Sequence, residues 1–198
     1  MKIEMSKNRL EAFSDGVLAI IITIMVLELR GPRDETFCAL APVLPLFLSY
    51  VLSFAYLGIY WNNHHHMLHT CRKVTGGILW ANLHLLFWLS LVPFTTGWLG
   101  ENRFAATPAA LYGIVLLMAS LAYWILQMTI IASQQPDSLL KKAIGNDWKG
   151  KVSPLCYLVA IFAAAWSPRM SLALYVLVAL MWLVPDKRIE HALTDSAS

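Results

Sequence analysis

From Thr36 to Cys71 the chain carries no Asp, Glu, Lys or Arg, and the same holds from Val74 to Gly100 and from Phe104 to Pro136. Two shorter windows of this kind follow, Val152–Pro168 and Met170–Pro185. Gly16–Leu27 is apolar apart from Thr23 and is bounded by Asp15 and Glu28. A helix needs roughly 20 apolar residues to cross the hydrocarbon core of a bilayer. Six such helices would use about 120 residues, close to the hydrophobic 58% of this 198-residue chain. Only 14% of the residues are charged, against about a quarter in soluble domains, and the mean hydropathy is +0.59. This composition excludes a soluble enzyme, a disordered protein and a nucleic-acid-binding domain. The net charge of +3 is too mild to attract nucleic acid.

The windows predict an all-α integral membrane protein: one domain over residues 1–198, with spans at about 12–29, 44–63, 77–99, 109–132, 152–167 and 170–185. Pro42 and Pro45 make the start of the second window a loop. A single helix from Val152 to Pro185 would run about 50 Å, too long for a hydrocarbon layer of about 30 Å. Ser167-Pro168-Arg169 therefore reads as a hairpin between two short spans. The first span has a basic start and a short apolar run, but Asp15 precedes that run and no small-residue cleavage site follows Leu27. It reads as a retained span, not as a signal peptide.

Six spans put both termini on one side. That side collects Lys2, Lys7, Arg9, Arg72, Lys73, Lys141, Lys142, Lys149, Lys151, Lys187 and Arg188. The other side holds Arg30, Arg33, Arg103 and Arg169. Basic residues concentrate in cytoplasmic loops, so both termini are expected in the cytoplasm, in a multi-pass protein of the plasma membrane. The cysteines Cys38, Cys71 and Cys156 have no paired spacing and imply neither a disulfide framework nor a zinc motif.

Three places carry polar chemistry. In the first span, a wheel at 100° per residue puts Phe13, Val17, Ile20, Ile24 and Leu27 on one face and Asp15, Ala19 and Ile22 opposite, with Thr23 flanking the apolar face. An intramembrane carboxylate faces protein or water, so Asp15 points toward other helices or sits at the interface. The competing reading makes Ser14-Asp15 a helix cap, with Arg9 left in a loop. The second place is Trp61 with His64, His65, His66 and His69. His65 and His69 share a helix face and could bind a metal, but no HExxH pattern or cysteine pair accompanies them. Hydrogen bonding inside the bundle is the preferred reading, and a pH-sensing role stays open. The third is Asn82 and His84 in the third span, followed by Pro93, Thr95 and Thr96. These polar groups need partners within the bundle, and Pro93 frees a backbone carbonyl.

The run Arg9-xxx-Phe13-Ser14-Asp15-Gly16-Val17-x-Ala19-Ile20 resembles the signature of the transmembrane protein 175 potassium channels. Trp61-xx-His64-His65 in the second span, and Asn82-Leu83 with Pro93-Phe94 in the third, are similar to that family's further motifs. The resemblance implies a potassium-selective leak channel, not an enzyme, with no cofactor and no metal. It implies a homotetramer in the lipid bilayer that passes K+ and some H+, and whose four first helices line the pore. Ile20 then forms the narrowest hydrophobic ring, Ile24 and Leu27 the next layers, and Thr23 a polar position beside the constriction. Arg9, Ser14, Asp15, Trp61, His64 or His65, and Asn82 match the network that holds the pore helix. Two other classes compete: a proton-coupled secondary transporter using Asp15 and the histidines, and a membrane metalloprotein or haem enzyme ligated by His64, His65, His69 or His84.

Overall fold

A computed structural model describes residues 6–134, 138, 140–141 and 147–183. The chain ends, the expected end of the sixth span at residue 185, and the basic residues Lys2, Lys142, Lys187 and Arg188 lie outside the described residues. The first helix, α1 (Lys7–Leu27), starts five residues before its expected position. Its opening turns are charged but helix-compatible, and Lys7 pairs with Glu11 one turn on, at 3.8 Å, which supports an exposed helix face. Arg9, Ser14 and Asp15 are therefore all helical. The capping reading of Ser14-Asp15 fails, because both lie two turns inside the helix.

A 3₁₀ helix at Phe37–Val43, containing Pro42, leads into α2 (Leu44–His69), which takes Pro45 in its first turn, where proline loses nothing. No Gly or Pro interrupts the chain between residues 59 and 75, and α2 runs six residues past its expected end. All four histidines of the cluster are thus helical. Its 26 residues make a rod of about 39 Å, longer than the hydrocarbon layer.

The third expected span is two helices, α3 (Gly76–Ser90) and α4 (Val92–Glu101). Thr75 caps α3 through its hydroxyl, which accepts from the Ile78 amide at 3.3 Å. At the break, Pro93 supplies no amide hydrogen. The Thr95 hydroxyl donates to the carbonyls of Leu91 (3.3 Å) and Val92 (3.1 Å), and the Thr96 hydroxyl to that of Val92 (2.7 Å). Threonine hydroxyls keep such a break satisfied without water. After it come α5 (Ala106–Ser133), α6 (Trp148–Ala163) and α7 (Pro168–Leu183). Among the described residues, four stretches are long and apolar enough to cross a membrane: α1, Phe37–His69, Gly76–Glu101 and α5. The last two helices have 16 residues each, about 24 Å apiece. Among the described residues the architecture is all-α, with six α-helical segments once α3 and α4 are taken together.

α5 is the central post, packed against α3, α4 and α6, while α2 packs on α4 and α7 packs on α6. A buried hydroxyl cluster ties the middle together: Ser53 Oγ lies 2.7 Å from Thr96 Oγ1 and 3.0 Å from Tyr112 Oη. Gly100 lets α4 close on α2, since a Cβ there would stand 2.5 Å from Leu46 Cα. Small residues permit this close approach of membrane helices. α1 leans on α2, α3 and α4 with one face only: Leu10, Ser14, Leu18, Ile21 and Met25.

Candidate functional site

The buried residues of α1 recur every three or four positions, as they must on one side of a 3.6-residue helix. Much of the remaining surface of α1 is uncovered. Phe13, Ile20, Ile24 and Leu27 are exposed, Ile20 at 60% and Leu27 at 75% of their surface, and Val17 is half-buried. Thr23 lies on the same open side and bonds its hydroxyl back to the Ala19 carbonyl at 2.8 Å. The subunit thus offers an uncovered apolar strip along a helix whose other side is fixed.

Two polar groups fix it. The first is sealed in the bundle. Asn82 Nδ2, on α3, donates to Ser14 Oγ at 3.0 Å, and Ser14 Oγ donates to the Leu10 carbonyl at 2.9 Å. His64 Nε2, on α2, lies 2.7 Å from Asn82 Oδ1. A carbonyl oxygen only accepts, so His64 carries its proton on Nε2. Ser14, Asn82 and His64 are all buried, His64 at 3% exposure. The second group opens outward: Trp61 Nε1 donates to Asp15 Oδ1 at 2.9 Å. His65 stacks on Trp61, with ring centroids 6.2 Å apart, and meets His69 edge-on at 4.5 Å.

The network expected as one unit is therefore two. Of the two candidate histidines, His64 bonds to Asn82, while His65 packs outside against Trp61. Arg9 is exposed, and its side chain has no hydrogen bond or ion pair among the described residues. His84 joins neither group, because it accepts from Trp88 Nε1 at 3.0 Å within its own helix. A further tie escaped the sequence reading: Lys7 Nζ donates to the His69 carbonyl at 3.0 Å, joining the start of α1 to the end of α2. A lone lysine in a charged first turn gave no signal for it. Among the described residues no three His, Cys, Asp or Glu side chains converge as metal ligands would, and the three cysteines are free. The arrangement holds a helix in place and leaves one of its faces available; it gathers no acid–base pair or nucleophile.

Comparison with known proteins points to one family. The TMEM175 family, described as endosomal/lysosomal potassium channel TMEM175, matches residues 9–93. A potassium channel of Chryseobacterium sp. (strain P1-3) is 54% identical over 192 residues, covering 97% of this chain and 100% of that protein. The human endosomal/lysosomal proton channel TMEM175 is 41% identical over 83 residues, 36% of this chain and 16% of the human protein. The crystal structure of a lysosomal potassium-selective channel TMEM175 homolog from Chamaesiphon minutus is similar with a TM-score of 0.76 at 27% identity, covering 91% of this chain and 97% of that one.

Proposed function

This chain belongs to the TMEM175 family, and on that premise we propose that it is a potassium-selective channel whose pore four copies enclose, each contributing α1. The family is one of channels, not enzymes, and implies no cofactor. The observation that carries the reading is the uncovered apolar strip of α1. One helix cannot enclose a pore, and a strip of Ile20, Ile24 and Leu27 left bare by its own subunit fits a position facing copies of itself across an axis. Ile20 forms the narrowest ring, Ile24 and Leu27 the layers beyond it, and Thr23 a polar flank.

Hydrophobic constrictions gate by excluding water. Isoleucine offers no ligand to replace a cation's hydration shell, so the ion that surrenders water most readily crosses at least cost, and K+ holds its shell less tightly than Na+. Ser14, Asp15, Trp61, His64 and Asn82 set the angle at which α1 meets the axis, with Arg9 and His65 at the same end. Proton permeation fits the naming of the human relative as a proton channel. The excess of Lys and Arg on the side of the chain ends supports cytoplasmic termini in a plasma-membrane protein. A gradient-coupled transporter has less to rest on, since Asp15 is held by Trp61 and His64 by Asn82.

Flux from proteoliposomes under potassium or sodium gradients tests the proposal. Potassium should run down its gradient without a coupling ion, and Ile20→Asn should weaken the preference for potassium over sodium. Unchanged selectivity in a folded assembly would sink the pore assignment. Asp15→Ala should impair assembly or gating, and a fully active variant would remove Asp15 from the holding network.

A further inference from the structure

At the seam between the start of α1 and the end of α2, three side chains take no part in the hydrogen bonds that hold α1: Glu11, His65 and His69. Two ties set the register of this seam, Asp15 to Trp61 and Lys7 to the His69 carbonyl. They lie eight positions apart on both helices, which therefore run antiparallel. The residues midway between them, Glu11 on α1 and His65 on α2, face the same seam. His65 and His69 are four apart and share a helix face, and both are exposed. Their ring centroids lie 4.5 Å apart. Two imidazoles bound to one ion through nitrogens at about 2.0–2.1 Å hold their centroids roughly 4.5–5.2 Å apart. Glu11 is half-buried, and Lys7 Nζ stands 3.8 Å from its Oε1. That oxygen is shut off from solvent and has no hydrogen-bond partner, and a desolvated oxygen in this state is costly.

We propose that His65, His69 and Glu11 bind a borderline divalent metal ion of the zinc type, held across the two helices. Two histidines one turn apart on a helix form a bidentate donor for such ions, and imidazole nitrogen suits zinc, copper and nickel. The Glu11 carboxylate supplies the third bond from α1, and water completes the shell. In this structure the rings meet edge-on at 67°, and the three side chains do not converge on one point. Turning the rings about χ2, a broad torsion, brings one nitrogen of each toward a common ion. Lys7 keeps its bond to the His69 carbonyl and yields its longer contact with Glu11. Calcium and magnesium require more oxygen donors than one carboxylate provides. A soft monovalent copper ion seeks sulfur, and Cys71, the cysteine nearest in sequence, is buried. The ion is an exchangeable ligand from solution, not a cofactor, and the site stands whether or not α1 lines a pore.

The test uses the purified full-length chain in detergent, freed of any histidine tag. Calorimetric titration with zinc chloride at neutral pH probes the site, with magnesium chloride as the hard-ion control. Zinc should bind and magnesium should not. His65→Ala, His69→Ala and Glu11→Gln should each weaken zinc binding roughly tenfold or more, while His66→Ala, on a different face of α2, should leave it unchanged. Size-exclusion elution checks that each variant is folded, and the three ligand positions are tested separately, so one variant that fails to fold leaves the others decisive. Absence of zinc binding by the wild type, or equal binding by the wild type and a folded histidine variant, overturns the site. An unaffected Glu11→Gln variant overturns its reach across to α1. A loss in His66→Ala as large as that in His65→Ala overturns the ligand assignment.

Discussion

Ser14 and Asp15 are neighbours in the chain, yet 100° of helical rotation sends one into the bundle and the other to its edge. Ser14 joins Asn82 and His64 in a chain closed to solvent, whereas Asp15 meets Trp61 where both side chains are exposed. Each group anchors α1, but physics values them differently. A sealed hydrogen bond that loses its partner leaves a desolvated group stranded, while an open one hands its partner back to solvent. The neutral, buried chain is therefore the stronger anchor in the single subunit, although the carboxylate is the more conspicuous residue in the sequence.

The sharpest way to break this comparison is Asn82→Ala. It strands the His64 ring and removes the donor to Ser14, and should cost about 2–4 kcal/mol in denaturant unfolding of the detergent-purified protein. Ser14→Ala should cost less, about 1–2 kcal/mol, since Asn82 keeps its bond to His64. Trp61→Phe should cost least, roughly 0.5–1 kcal/mol. If Trp61→Phe matches Asn82→Ala, the outer bond is itself covered in the working assembly, and the contrast belongs to the subunit alone. The cysteines give the same contrast of sealed and open sites a chemical readout. Cys38 is exposed, while Cys71 is buried behind the end of α2 and donates to the Lys73 carbonyl at 3.4 Å. Burial pushes the Cys71 thiol above its ordinary range. A maleimide at neutral pH should label Cys38 first, and Cys71 should catch up only as the pH climbs through its raised value, as read by mass spectrometry of the peptides.

The helices were legible where charge was absent and misplaced where charge was tolerated. α1 begins ahead of its expected start because charge ends an apolar window without ending a helix, and the Lys7–Glu11 pair supports the opening turns. α2 runs past residue 63 through the histidines, since nothing in them breaks a helix. Hydropathy alone does not phase three consecutive histidines. The buried stripe Ser53, Leu57, Tyr60, His64 and Met67 does, at spacings of three and four, and it selects His64. The break at Leu91 was half visible in Pro93 and its threonines. A cavity lined by Tyr56, Tyr60, Tyr123, Tyr157 and Trp182 left no local trace, since these side chains come from α2, α5, α6 and α7 and meet only when those helices pack.

The partners of α1 also impose an order in time. Asp15 waits for Trp61, 46 residues downstream, and Ser14 waits for Asn82, 68 residues downstream. At about 5–20 residues per second of synthesis, the second delay lasts roughly 3–14 seconds. Until α2 emerges α1 stands alone in the bilayer. Ser14 brings one acceptor with it, the Leu10 carbonyl on its own helix. Asp15 sits about 12 Å from the helix start, within reach of the water–lipid boundary. The first helix is thus stable enough to be inserted alone and polar enough to be captured late, and its capture is complete only once α3 has been made.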